Sequence, residues 1–195
     1  MSEGLKVKKL KVAWGISGAG DKIAEIVDAM KDLKRQSEGV VDIDVYLSRA
    51  AETMLRFYSL FDDVKSSFSK VMVEVNANSP FLAAWMQSGK YEFLLIAPAS
   101  SNTVAKIVNS ISDTMLTNAA IMSLKAFQPV YLLPTDYRES VVYTKLPNGK
   151  EMKLRVRKEE ADQVRKLEQT EDVHVFESPA KMHDFFLEWL KTKEH

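Results

Sequence analysis

The most regular stretch of the chain runs from Tyr91 to Ala120, where an apolar run is followed by a helical repeat. Residues 91–96 are almost continuously apolar, which predicts a strand that is buried on both faces and ends at Ala97–Pro98. The small residues 99–103 come next. Apolar side chains then recur at helical spacing at Val104, Ile107, Val108, Ile111 and Met115. The pattern predicts a strand, a polar turn, and a helix that begins at the carboxyl end of the strand.

The same order of strand, turn and helix occurs earlier in the chain. Residues 10–14 predict a first strand, the glycine-rich loop 15–21 follows it, and a helical repeat runs from Ile23 to Leu33. Residues 40–47 alternate as in a strand nearer the edge of a sheet, and a helix opens after them at Ser48. Further strands are predicted at 71–75 and 129–134. Strands that alternate with helices indicate an α/β fold with a mainly parallel sheet.

The C-terminal part has a different pattern. Two β-rich runs, 141–146 and 150–156, flank Pro147-Asn148-Gly149 and predict a hairpin. A charged helix is predicted over 158–169, a strand over 173–176, and an amphipathic helix over 182–190. We expect a single domain of residues 1–195, with a core of about 10–138 and a C-terminal hairpin and helix extension of about 139–195.

Composition excludes several classes of function. Lys plus Arg and Asp plus Glu both total 27, so the formal net charge is 0 and no overall field attracts nucleic acid or an anionic membrane. The chain has no Cys, which excludes disulfides, thiolate catalysis and Cys-ligated metal centres within it. No apolar run approaches the ~18 residues of a membrane span. We expect a cytoplasmic protein without nucleic-acid or membrane partners, and no metal site is predicted.

Small polar residues follow each of the main predicted strands. Ser17 lies in the glycine loop, Ser48 follows the second strand, and 100–103 open the central helix. Because the carboxyl ends of parallel strands share one edge, these hydroxyls and the free amides of a helix N-terminus would form an anion cradle. Two alternatives stay open: Ser101 or Asn102 serves only as a helix cap, and the glycines serve only to reverse the chain. The spacing G-x-x-G-x-G is neither a dinucleotide fingerprint nor a P-loop.

The motifs resemble those of a family of homo-oligomeric flavoproteins. Residues 97–106 (APASSNTVAK) followed by 111–117 (ISDTMLT) resemble its P-A-S-x-N-T-x-x-K and I-x-D-x-L-x-T signature, and 15–18 match its G-x-S-G loop. That family includes peptidyl-cysteine decarboxylases, phosphopantothenoylcysteine decarboxylase and the prenylated-flavin synthase. Residues 14–20, 47–50 and 133–136 are most similar to the subgroup of archaeoflavoprotein AfpA and dihydromethanopterin reductase. Those are FMN redox proteins.

The resemblance implies a three-layer, doubly wound, Rossmann-like sheet with FMN held between subunits. Its isoalloxazine would lie near Ala99 and Asn102. The residues expected to bind the cofactor are Gly15, Ile16, Ser17, Gly18, Ser48, Ala99, Ser100, Ser101, Asn102, Thr103, Thr135 and Asp136. The decarboxylases carry a histidine before the central strand, whereas 75–90 contain none here, and 134–138 replace their substrate clamp. Decarboxylation is therefore disfavoured.

We therefore predict an FMN-dependent electron-transfer flavoprotein that takes electrons from a donor such as ferredoxin and passes them to a protein or a pterin-like acceptor. No catalytic side chain is assigned, because the cofactor would carry the chemistry. The alternatives are a flavin prenyltransferase or cysteine-type decarboxylase, and a non-catalytic flavin-binding module. We also expect a homo-oligomer, because large apolar side chains exceed what one small sheet buries. These side chains are Met54, Phe57, Tyr58, Phe81, Trp85 and Met122. The resemblance implies a trimer or a multiple of it, with a dimer as the alternative.

Overall fold

The structure is a computed structural model that describes residues 9–146 and 148–193. Pro147 of the predicted hairpin turn and both chain ends lie outside the described residues. The strands are β1 (Leu10–Ile16), β2 (Val41–Leu47), β3 (Val71–Val73), β4 (Leu94–Ala99), β5 (Val130–Pro134), β6 (Ser140–Lys145), β7 (Glu151–Val156) and β8 (Val173–Val175). The helices are α1 (Ile23–Gln36), α2 (Arg49–Phe57), α3 (Phe61–Ser67), α4 (Leu82–Gln87), α5 (Ser101–Val108), α6 (Met115–Lys125), α7 (Lys158–Glu168) and α8 (Pro179–Lys191).

The main sheet has six parallel strands in the order β3-β2-β1-β4-β5-β8. The chain moves outward from β1 to β2 and β3, and then returns to place β4 on the other side of β1. This reversal confirms the predicted doubly wound α/β fold, and it puts a topological switch point between β1 and β4. The antiparallel pair β6 and β7 forms the predicted hairpin outside the main sheet.

Two apolar cores cover the two faces of the sheet. On one face, Trp14, Ile43 and Leu95 pack against α1, α2, α3 and α8. On the other face, Ala13, Tyr46 and the side chains of β4 and β5 on that face pack against α4, α5, α6 and α7. Burial on both faces explains why β4 is a continuous apolar run rather than an alternating one. Among the described helices, none combines the length and the apolar character needed to cross a bilayer.

The central strand begins and ends later than the sequence predicts. It runs over Leu94–Ala99 instead of 91–96, so the expected end at Ala97–Pro98 is wrong. Pro98 has no N–H, but its carbonyl still accepts from the Ser17 amide of the β1 exit at 3.2 Å. The Ala99 carbonyl likewise accepts from the Thr135 amide at 3.1 Å. A proline residue lacks the amide donor of a strand but keeps the carbonyl acceptor. Pairing therefore continues through Pro98, with a shift of register between Ile96 and Ala99.

The single helix predicted after that strand is two helices. α5 ends at Val108, Ser110 has a positive φ of 57°, and Ile111 is 45% exposed instead of facing the core. α6 then starts afresh with Thr114 as its N-cap, since the Thr114 hydroxyl and the Thr117 side chain form a capping box. Apolar spacing alone does not reveal this break, because Met115 stays in phase with the preceding helix.

A buried carboxylate ties β2 to the loop before β4. Asp44 is 3% exposed and accepts from the hydroxyl of Tyr91 at 2.7 Å and from the ammonium of Lys70 at 3.2 Å. The hydroxyl of Tyr46 contacts that of Tyr91 in turn. Burial, with these two neighbours, raises the pKa of Tyr91 above its usual range, so its hydroxyl stays protonated and remains a donor. Asp44 therefore supplies the acceptor on which this polar cluster depends.

Replacing this carboxylate should destabilise the protein strongly. Asp44→Ala leaves the Tyr91 hydroxyl without its acceptor and Lys70 without its partner, which should cost about 3 kcal/mol of unfolding free energy. Asp42→Ala is the matched control, since Asp42 lies in the same strand and makes only half-exposed ion pairs with Lys9 and Lys11 at 3.5 and 3.9 Å. The control should lose about 1 kcal/mol or less in urea denaturation. Equal losses of unfolding free energy for both variants would contradict the role given to Asp44.

Candidate functional site

The carboxyl ends of β1, β2, β3 and β4 surround a cavity of about 630 Å³. Five of the predicted site residues line it: Gly18, Ser48, Ser100, Asn102 and Thr103. This volume is within the range of cavities that hold cofactor-sized molecules. The cavity lies beside the switch point between β1 and β4, where open α/β sheets bind ligands.

A second cavity of about 630 Å³ lies between α1, β2 and residues 66–69. Its cations already have partners: Lys31 pairs with Asp63 at 2.9 Å, and Lys34 donates to the carbonyl of Ser67. It also lies away from the strand exits that carry the predicted motifs. We therefore place the candidate site at the carboxyl edge.

Ser17 is buried behind the cavity and joins the two central loops. Its hydroxyl donates to the carbonyl of Pro98 at 2.8 Å and accepts from the amide of Ser100 at 2.8 Å. The side chain is 2% exposed, and its hydroxyl is used by these backbone groups. Ile16 and Ala99 are fully buried next to it. Ser17 thus fixes the glycine loop against the first turn of α5.

Gly15 near the end of β1 and Gly18 in the loop after it leave room for close packing of two helices. A Cβ on Gly18 would lie 2.4 Å from the Cβ of Ala50 in α2, and a Cβ on Gly15 would lie 2.7 Å from Leu116 in α6. Neither glycine has a positive φ. The alternative that they serve only to reverse the chain is therefore wrong. Their missing side chains let α6 approach the end of β1 and α2 approach the loop, and Ala50 and Leu116 of these helices line the cavity.

The N-terminus of α5 has unused amides, and Ser100, Asn102 and Thr103 of its first turn line the cavity. Ser100 is the N-cap, since its hydroxyl accepts from the Thr103 amide at 3.3 Å, so the alternative of a cap at Ser101 or Asn102 is wrong. Ser48 caps α2 in the same way through the Ala51 amide at 3.0 Å. Within residues 9–146 and 148–193, no acceptor is found for the amides of Ser101 and Asn102. These amides, with the positive end of the helix dipole, can hold an anion such as a phosphate.

Three predicted residues lie together on the β5 side of α5, away from the cavity lining. The hydroxyl of Ser101 donates to the carboxylate of Asp136, and the Thr135 hydroxyl lies 3.4 Å from the same oxygen. Asp21 of the first loop is close by. Burial raises the pKa of the Asp21 carboxyl, Lys22 opposes the rise, and Asp136 adds to it. The contact of Ser101 with Asp136 orients the first turn of α5.

The sequence predictions missed part of the lining. The missed residues are Arg49, Ala50, Glu74, Asn76, Ala77, Lys106, Asp113, Thr114 and Leu116. Glu74 is the first polar residue after β3, so the rule that located Ser48 after β2 also applies to it. Lys106 and Asp113 lie within the quoted motifs, and they pair with each other at 2.9 Å.

Comparison with known proteins identifies the family of this chain. Residues 1–185 match the family described as Flavoprotein. An uncharacterised protein of Methanocaldococcus jannaschii is 40% identical over 95% of this chain and 98% of its own length. Dihydromethanopterin reductase (acceptor) of the same organism is 29% identical over 91% of this chain and 96% of its own length.

Among solved structures, the FMN complex of Burkholderia xenovorans DmrB, described as a cubic protein cage for redox transfer, is similar with a TM-score of 0.81. It is 30% identical, and the match covers 96% of this chain and 98% of that one. The resemblance inferred from the motifs is thereby confirmed. With the glycine loop, the α5 turn and the doubly wound sheet in place, the chain belongs to the Flavoprotein family.

Proposed function

We propose that this protein binds FMN in the carboxyl-edge cavity and acts as an electron-transfer flavoprotein. The observation that carries the proposal is the first turn of α5, where the amides of Ser101 and Asn102 have no acceptor among the described residues and Asn102 lines a cavity of about 630 Å³. A phosphate fits such a turn because its negative charge is stabilised at the positive end of the helix dipole. Its oxygens can also accept hydrogen bonds from both amides. Similarity to the FMN complex of DmrB supports the choice of cofactor.

The charged side chains of the cavity are already engaged with other groups of the chain. Glu74 accepts from two backbone amides, and Asp113 pairs with Lys106. In this arrangement neither carboxylate is poised as a general base, so we assign no catalytic side chain. A bound flavin would supply the electron-carrying chemistry. We propose ferredoxin as the donor and a protein or pterin-like molecule as the acceptor, in line with the similarity to dihydromethanopterin reductase.

The phosphate position can be tested with two matched cap variants. Ser100→Ala and Ser178→Ala each remove a serine N-cap whose hydroxyl accepts a backbone amide at 3.3 Å. Both should lose about 1 kcal/mol of stability. Only Ser100→Ala should weaken FMN binding, by about tenfold or 1.4 kcal/mol, because only Ser100 borders the cavity. Fluorescence titration with FMN measures the affinities, and equal FMN affinity in the two variants would place the phosphate elsewhere.

The redox function can be tested by anaerobic titration of the FMN-loaded protein with reduced ferredoxin. We expect the flavin absorbance to bleach rapidly and to return in stopped-flow mixing with a suitable acceptor, such as an oxidised pterin. Free FMN at the same concentration is the control. No reduction by any biological donor, together with turnover of a prenyl phosphate or a cysteine-derived carboxylate, would instead establish one of the enzymatic alternatives.

We further propose that the chain assembles into a homo-oligomer, a trimer or a multiple of it. Of the apolar residues expected at an interface, Phe57 is 54% exposed and Phe81 is 63% exposed, whereas Met54, Tyr58, Trp85 and Met122 are partly buried. The 58%-exposed Val75 lies between the cavity-lining residues Glu74 and Asn76, and Phe81 follows this segment closely in the chain. A neighbouring copy that covers them would also close the cavity from water.

Light scattering should give a mass of three chains or a multiple of three. Phe81→Asp should lower this mass, because a charge in an apolar contact is costly to desolvate. Phe127→Asp is the control. Phe127 is 84% exposed but directly precedes β5, so it lies at the amino ends of the strands and not at the carboxyl ends that surround the cavity. A monomer with FMN bound, or an unchanged mass for Phe81→Asp, would contradict the proposed contact.

A further inference from the structure

Glu74 lies directly after β3 and contacts two helices across the cavity. One carboxylate oxygen accepts from the amide of Met115 at 2.8 Å, and the other accepts from the amide of Arg49 at 3.3 Å. Met115 is the first residue of α6, and Arg49 is the first residue of α2. A single side chain therefore bridges the N-termini of both helices.

This bridge is additional to the ordinary helix caps. The N-caps Ser48 and Thr114 accept from the third residue of their helices, so the first amide of each helix needs another acceptor. Glu74 supplies both acceptors. Its negative charge also lies at the positive ends of both helix dipoles, where a carboxylate is stabilising.

The segment that follows Glu74 is fixed to the same two helices. The Arg49 guanidinium donates to the carbonyl of Glu74 at 3.4 Å and to that of Val75. The Asn118 side-chain amide in α6 donates to the carbonyl of Ala77 and to the side chain of Asn78, both at 3.0 Å. Asn76 and Ala77 line the cavity. Residues 74–78 thus form a wall whose position relative to α2 and α6 is set by Glu74 at one end and Asn118 at the other.

We propose that Glu74 is a positioning residue of the flavin site, which holds the 74–78 wall in place and satisfies the first amide of α2 and of α6 internally. This inference rests on the proposed function. Among the described residues, α5 has two neighbouring amides without an acceptor, those of Ser101 and Asn102, whereas α2 and α6 have one each, those of Ala50 and Leu116, so the α5 turn is the better place for the phosphate. The wall then contacts the non-phosphate part of the cofactor, so losing Glu74 affects FMN and riboflavin alike.

Three variants test the proposal. Glu74→Ala removes both acceptors, and Glu74→Gln keeps the volume and one acceptor oxygen in case the alanine variant does not fold. Glu52→Ala is the control, because Glu52 also lies in the first turn of α2 but pairs only with the exposed Arg56 at 2.8 Å. Hydrogen exchange is measured on the flavin-free proteins over the first turns of α2 and α6. Dissociation constants are measured for both FMN and riboflavin.

We expect faster exchange in both first turns for Glu74→Ala, about tenfold weaker binding of FMN and of riboflavin, and about threefold weaker binding for Glu74→Gln. Glu52→Ala should match the unmodified protein in flavin affinity. Unchanged exchange, or unchanged flavin affinity in a folded Glu74→Ala protein, would overturn the proposal. A loss confined to FMN would also overturn it, because Glu74 would then act at the phosphate. If the unmodified protein binds neither flavin, the proposed function fails, while the exchange measurement still decides whether Glu74 bridges the helices.

Discussion

The candidate site depends on the hydrogen bonds that join β1 and β4 at their carboxyl ends. The Ser17 hydroxyl donates to Pro98 and accepts from Ser100, so it fixes the glycine loop and the α5 turn relative to each other. Each bond contributes about 1 kcal/mol, but an unpaired buried carbonyl or amide would cost about 1–3 kcal/mol. The main contribution of Ser17 is therefore to fix the position of the α5 turn before any ligand binds. Such preorganisation lowers the entropy cost of ordering the site on binding.

The charges around the cavity are balanced within the protein. Lys106 pairs with Asp113, and the Arg49 guanidinium and the Glu74 carboxylate are both bonded to backbone groups. The positive potential offered to a ligand therefore comes mainly from backbone amides in fixed directions rather than from flexible side chains. Such a site recognises a phosphate by the directions of its donors, and it does so in a protein of zero formal net charge.

The features that were predicted correctly from the sequence are those that local patterns of residues determine. Parallel strands that are buried on both faces give continuous apolar runs, which can be recognised in a sequence. The rule that polar residues follow such strands correctly predicted that Ser48 and the α5 turn lie at one cavity. Contacts between segments distant in sequence were not predictable in this way. The packing of Gly18 against Ala50 and the capture of the Met115 amide by Glu74 depend on the relative placement of helices. The break between α5 and α6 was missed because it leaves the apolar period in phase.

The adjacency of β1 and β4 has a consequence for how the protein folds. Ser17 and Pro98 are 81 positions apart in the sequence, with β2, β3 and four helices between them. Bringing such distant segments together has a loop-closure cost that must be met before their contacts form, which slows folding. During synthesis, β1 lacks one of its two neighbours until β4 has left the ribosome. We therefore expect the central strands and the ligand cavity to form late and in the same step.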